Sequence, residues 1–223
     1  MGILRRAALL AALSLLAGAA GARAGAGSLF LGGLSFFDAG DLDRTSEDIR
    51  AGSLSPGFDG DFLLSFRDAK RTSVLAGFGI FWSARTERDE EIPFSAPEEE
   101  ARLEAFAFPF TAGFVRRPPP DRSRGWAWGA LAHYYFVKMT VDADPGLGDP
   151  SGFSLDASGR GERDGGGPGI SAFAAYEIPF LLGRAGAGVK ARHAPVSVNG
   201  EPGLYTPDMN LSGITVFLSV ALR

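Results

Sequence analysis

Histidine, aspartate and glutamate supply the few places in this 223-residue chain where residue type and spacing could do chemistry. His133 sits in His133-Tyr134-Tyr135 and could act as a general base, but a base is identified by the nucleophile beside it. No serine adjoins His133 in the sequence, so it reads as an interior histidine hydrogen-bonded to a neighbouring carboxylate. Asp142, Asp144 and Asp149 put three carboxylates into a Gly/Pro segment. Oxygen ligands at such spacing can hold Ca²⁺, yet no glutamate closes the loop at the position an EF-hand requires. They read as a solvated loop, as does the run Glu98-Glu99-Glu100. Gly159–Gly169 is glycine-rich without the strand-to-helix setting of a phosphate loop, and reads as flexible. The absence of cysteine excludes a disulfide framework, a thiolate metal site and a thiol nucleophile. The expectation is a chain with no catalytic, cofactor or metal centre.

Hydrophobic residues make up 45% of the chain and charged ones 22%, with a formal net charge of −4. That is too apolar for disorder and too acidic for a general nucleic-acid binder. Residues 1–24 read as a secretory signal peptide. Arg5 and Arg6 form the basic start, Ala7–Leu16 the apolar core, and Ala22-Arg23-Ala24 the small-x-small cleavage site. The apolar core is about half the roughly 20 residues a spanning helix needs. Residues 25–223 are expected to form one exported domain.

Beyond the leader, apolar residues alternate with a period of two, which signals strands. Phe58, Gly60, Phe62, Leu64 and Phe66 share one face, opposite Asp59, Asp61, Leu63, Ser65 and Arg67. Similar segments contain Val74–Ser83, Phe106–Phe114 and Ile214–Leu222. Weaker ones cover Ser28–Asp38, Gly125–Met139, Ile170–Ile178 and Ala185–Val196. Eight segments result, most near the 9–11 residues of a tilted membrane strand. Long connections alternate with shorter ones, as in an up-and-down membrane barrel. The long connections carry 19 acidic and 7 basic residues, while the short ones are net basic, so the two ends differ in charge.

Alternation alone leaves open which face points outward, and space decides it. An eight-stranded barrel has an interior just wide enough for side chains to fill. The Phe, Trp, Ile, Val and Leu face would overfill it, whereas the opposite face of Gly, Ala, Ser and Thr fits. The bulky face is therefore expected to meet lipid. Asp59, Asp61, Arg67, Glu104, His133, Glu177, Lys190 and Arg192 are then expected inside as a polar network, because lone buried charges are costly. Leu63, Leu75, Phe81, Leu131, Phe173 and Phe217 make the rest of the interior partly apolar. Trp82, Trp126, Trp128, Tyr134 and Tyr176 are expected toward the ends of the outer band, where amphipathic rings favour the headgroup level.

With its leader, eight alternating segments, long and short connections and a strand at the C-terminus, the chain resembles the small bacterial outer-membrane β-barrels of the OmpA transmembrane-domain and OmpW type. The Gly167–Tyr176 stretch looks like the glycine-led entry to a late strand in such barrels. The resemblance implies an all-β, eight-stranded antiparallel transmembrane barrel in a bacterial outer membrane. Its partners would be membrane lipid, lipopolysaccharide and, during biogenesis, the barrel-assembly machinery. Members end in an aromatic residue, whereas this chain ends Val220-Ala221-Leu222-Arg223, with Phe217 the nearest aromatic. Arg192-His193-Ala194-Pro195-Val196-Ser197 is similar to the His-x-Ser-Asn signature of lipid A deacylases, but Ser197 stands four residues on rather than two. The expected role is non-enzymatic and monomeric: structural, or a narrow route or binding site for small hydrophobic solutes. The alternatives are a lipid A-modifying hydrolase using His133 and a soluble lipocalin-like carrier.

Overall fold

The computed structural model describes residues 26–39, 54–67, 71–86, 102–119, 123–143, 156, 158–181, 183–198 and 208–222. The expected leader, the Glu98–Glu100 run, and Asp144 and Asp149 lie outside the described residues.

The described chain is all-β. Eight strands form a ring: β1 (Ala26–Phe37), β2 (Gly57–Arg67), β3 (Thr72–Thr86), β4 (Arg102–Arg116), β5 (Gly125–Asp142), β6 (Arg160–Phe180), β7 (Gly183–His193) and β10 (Gly213–Leu222). Each pairs antiparallel with the next, and β10 pairs with β1 to close the circuit. Followed once round, the register is staggered. It passes from Ala26 through Phe66, Val74, Phe114, Ala130, Ala172, Ala191 and Ile214, and returns to β1 at Phe36, ten residues further along.

Two short strands follow: β8 (Pro195–Val198) begins inside the segment read from the sequence as Ala185–Val196, and β9 (Asp208–Asn210) lies beyond the eight segments. They prolong β7 and β10 past breaks at Ala194 and at Leu211–Ser212, in unchanged register with β6 and with each other. The Leu211 amide donates to the Ala194 carbonyl at 3.0 Å across the break. Within the glycine-rich Gly159–Gly169 stretch, Gly159 sits in a turn at φ 79°, and from Arg160 on the chain is strand rather than loop, since β6 pairs with β5 from Arg160↔Asp142 onward. Side-chain-free positions are needed there because a Cβ at Gly169 would come within 2.7 Å of the Tyr135 ring and 2.9 Å of the Ala194 methyl.

Strand alternation sorts side chains by size and charge. Leu29, Leu31, Leu63, Leu75, Leu131, Phe173 and Phe217 are buried inside, while Leu34, Phe36, Phe66, Phe110, Leu218 and Ile170 stand exposed outside. The buried apolar groups form two separate clusters. One gathers Phe37, Leu54, Phe81, Leu103, Tyr135, Met139, Met209 and Leu211 toward the long connections. The other gathers Leu29, Leu63, Leu75, Val115, Leu131, Phe173 and Phe217 toward the short ones.

Along β5 the pattern inverts. Outward Trp126, Trp128, Tyr134 and Phe136 are exposed, and the same face then continues as Lys138, Thr140 and Asp142. The inner face changes from Leu131 and His133 to Val137, Met139 and Val141. Neighbouring strands change at the same level, with Phe106 beside Lys138, then Glu104 beside Thr140 and Arg102 beside Asp142.

Candidate functional site

Polar side chains converge between the two apolar clusters. Asp59 and Asp61 leave the inner face of β2, and Lys190 and Arg192 that of β7; each pair is two residues apart, the spacing that puts both on one side of a strand. Strands β1 and β10 separate β2 from β7 in the ring, so these groups meet across the interior. Lys190 Nζ lies 2.8 Å from Asp59 Oδ2 and 2.7 Å from Asp61 Oδ2. Arg192 Nη1 donates to Asp59 Oδ2 at 2.8 Å, Nη2 to Ser35 Oγ at 3.0 Å and Nε to the Leu211 carbonyl at 2.7 Å. Thr215 Oγ1 donates to the same Asp59 oxygen at 2.8 Å. The guanidinium carbon stands 4.9 Å from the centroid of the Phe81 ring. All four charged groups are buried, and their formal charges cancel. Such burial is tolerated because each ion faces an opposite charge and further hydrogen bonds.

His133 forms a second chain of contacts. Its Nδ1 is 2.9 Å from Thr111 Oγ1 and its Nε2 is 2.8 Å from Ser171 Oγ. Ser171 is the serine that inspection of the sequence near His133 missed. It lies 38 residues away and becomes a neighbour only through the β5–β6 register, which pairs it with Leu131. A hydroxyl against an imidazole nitrogen is the core of a nucleophile–base pair. Here the third partner is a threonine hydroxyl rather than a carboxylate, and both Ser171 and His133 are buried on the inner face.

The other expected interior residues are distributed differently. Glu177 is buried toward the short connections, 3.6 Å from Arg117 Nε. Glu104 is on the outer face. It stands two residues before outward Phe106, accepts from Trp82 Nε1 at 2.8 Å and pairs with Arg102 at 2.8 Å. The expectation of an interior Glu104 is thus corrected, because strand parity ties it to Phe106. The side chain of Arg67 lies outside the described residues. His193 points outward, its Nδ1 3.1 Å from Ser212 Oγ.

All five expected outer aromatics are exposed. Trp126 packs against Tyr176 and Trp128 against Phe114 near the short connections, where Arg116 lies 6.0 Å from the Trp128 ring. Trp82 stands toward the other end, and Tyr134 packs on Phe136. A chain of ring contacts crosses the outer wall from Phe30 through Phe62 and Phe78 to Phe108 and Phe110. Beside it, over β4 to β7, the wall dips into an open depression of about 650 Å³ floored by Ala112, Ala130, Ala132, Ala172 and Ala191.

Among the described residues no group of three or more His, Asp or Glu side chains is arranged to hold a metal ion. No protein-family model matches this chain, and no curated protein matches it.

Proposed function

We propose that the chain is an outer-membrane β-barrel whose Phe- and Leu-rich wall contacts hydrocarbon and whose packed interior makes it a structural membrane protein rather than an open pore. The observation that carries this reading is the reversal of ordinary burial. Leu218 is 67% exposed and Phe110 57%, while Lys190 is 1% exposed and Asp61 0%. A protein in water buries apolar groups and exposes charge, so a wall of this kind calls for an apolar solvent. A ring of eight strands with a stagger of ten suits a closed barrel with strands tilted about 40°.

The apolar outer face on β5, from Trp126 to Phe136, has the length of a membrane strand, roughly 9–11 residues. The charged rows beginning at Lys138 would then stand in water. Residues 1–24 would be a cleaved export signal. Membrane lipid and lipopolysaccharide would be the surrounding partners, and assembly machinery would deliver the chain.

Two buried apolar clusters with an ion cluster between them leave little room for a water-filled path, which favours a structural role over a channel. A narrow site for a small apolar solute would have to open one cluster. The test is fractionation with gel mobility before and after boiling. Recovery in the detergent-extracted outer membrane, with a folded band that shifts only on heating, is expected. Recovery in the soluble periplasm without detergent would defeat the proposal in favour of a carrier.

Among the described residues, the Ser171–His133 contact favours a lipid hydrolase as a second reading. Lipid A mass spectra from cells with and without the protein, and with His133→Ala or Ser171→Ala, decide that reading; an acyl pattern unchanged by the protein eliminates it.

A further inference from the structure

The outer wall is recessed where alanine stands in place of large rings. Ala112 on β4, Ala130 and Ala132 on β5, Ala172 on β6 and Ala191 on β7 floor an open furrow of about 650 Å³ across four strands. On β4 and β5 the next outward residues are bulky: Phe110 and Tyr134 toward the long connections, Phe114 and Trp128 toward the short ones. The two sides differ in charge. Toward the long connections the outward cations of β4 to β6 already hold carboxylates. Lys138 and Arg160 share Glu162 at 2.7 and 2.6 Å, and Arg102 meets Glu104 at 2.8 Å. Toward the short connections Arg71, Arg116 and Arg124 are exposed, and none of the three has an ion pair among the described residues. Arg116 pairs with Trp128 across the ladder, and its guanidinium carbon stands 6.0 Å from the centroid of that ring. Arg124 precedes Trp126 by two residues. The Arg71 carbonyl accepts the Arg117 amide at 2.9 Å, which sets Arg71 beside the end of β4.

We infer that this face binds one anionic glycerophospholipid, with an acyl chain in the alanine furrow and the phosphate received by Arg116 and Arg124 beside Trp128. The inference rests on the membrane-barrel reading and adds a preferred lipid to it. A recess flanked by rings touches an alkyl chain on several sides, and each added contact contributes dispersion energy that a flat wall does not supply. A guanidinium donates paired hydrogen bonds to phosphate oxygens, and its place over the Trp128 ring holds it at the rim of the furrow before lipid arrives. A zwitterionic headgroup would bring its own cation toward the same arginines, so a headgroup of net negative charge is favoured. Phosphate without a tail would leave the furrow unfilled.

The experiment is native mass spectrometry of the folded mature chain, released from detergent micelles that carry equal amounts of phosphatidylglycerol and phosphatidylcholine with the same acyl chains. One retained phosphatidylglycerol is expected, at roughly tenfold preference over phosphatidylcholine. Glycerol phosphate added in excess should not displace it. Arg116→Gln combined with Arg124→Gln should remove the preference, and Ala130→Leu should lower retention of both lipids. Arg102→Gln, at the opposite end of the wall, should change nothing. Equal retention of the two lipids by the parent overturns the inference, and that comparison decides even if a variant does not fold. Displacement by glycerol phosphate, a preference that survives the double arginine substitution, or one lost with Arg102→Gln overturns it as well. A chain recovered in the soluble periplasm defeats the membrane reading itself, whereas equal retention by a chain recovered in the outer membrane defeats the lipid site alone.

Discussion

Lys190 on β7 reaches Asp61 on β2 across the ring, Nζ to Oδ2 at 2.7 Å, although 129 residues separate them. Neither strand neighbours the other, so this contact exists only when the circuit of strands is closed. Lys190→Met would leave Asp61 without its donor and strip Asp59 of one of three. Removing one member of a buried ion pair costs about 3–5 kcal/mol. The variant should therefore unfold at markedly lower urea concentration in detergent micelles. Lys190→Met combined with Asp61→Asn should recover most of the loss, since no lone carboxylate then remains at position 61. A Lys190→Met variant as stable as the parent would mean that water freely solvates the interior carboxylates.

Charge on the outer wall should be penalised by height rather than by exposure. Phe110 and Leu218 are both more than half exposed, a condition that in water would make Phe110→Lys or Leu218→Lys harmless. Facing hydrocarbon, each should cost about 2–4 kcal/mol near the middle of the apolar belt, against about 0–1 kcal/mol for Thr140→Lys in the charged rows. Reversible unfolding from lipid vesicles measures the difference. Equal costs at the three positions would remove the main support for a lipid-facing wall.

Conduction needs a continuous path, and here Phe81 and Phe173 belong to different buried clusters on either side of the ions. Planar-bilayer recording of the parent should show no steady porin-like conductance. Phe81→Ala alone should stay silent, because the cluster around Phe173 still closes the interior. Large, stable openings from the parent chain would contradict a packed interior.

Much of this organisation is legible in the sequence because a strand's period of two is rigid. Asp59 and Asp61, or Lys190 and Arg192, must share a face once Phe58 and Phe62, or Val189 and Ala191, are assigned to the other. The same rule places Glu104 with Phe106 on the outside. Register between strands carries no such signal, and so the Ser171–His133 contact and the four-way ion cluster were invisible until pairing was known. Gly159–Gly169 misleads for another reason. Glycine weakens a strand in isolation, but opposite Tyr135 and beside Ala194 the missing side chain is what lets β6 approach. The continuation of β10 as β9 is equally hard to read, because three residues are too few to show an alternation, whereas β8 starts within the segment read as Ala185–Val196.

The turn between β6 and β7 holds Leu181 at φ 38°, and its side chain is 90% exposed. A left-handed backbone costs an L-residue roughly 1–2 kcal/mol, and Leu181 gains little packing in return. Leu181→Gly should therefore raise stability by about 1 kcal/mol, less what glycine loses in unfolded-state entropy. Thermal unfolding followed by the heat-dependent gel shift would register the gain. A loss of stability would show that the leucine side chain makes contacts at the membrane surface worth more than the strain.

Because the chain lacks cysteine, single cysteines can map the inversion along β5 without background. Outward Ala132 and Phe136 lie in the apolar belt, whereas Thr140 lies on the same face among charges. In protein inserted in vesicles, Phe136→Cys should resist a membrane-impermeant maleimide and Thr140→Cys should react. Met139→Cys should also resist, though it is adjacent in sequence, because its side chain is buried in the inner cluster. Only an arrangement with hydrocarbon below Lys138 and water above it yields all three results together. In a water-soluble protein the half-exposed Phe136 position would label as readily as Thr140, and the membrane boundary drawn between Phe136 and Lys138 would be lost.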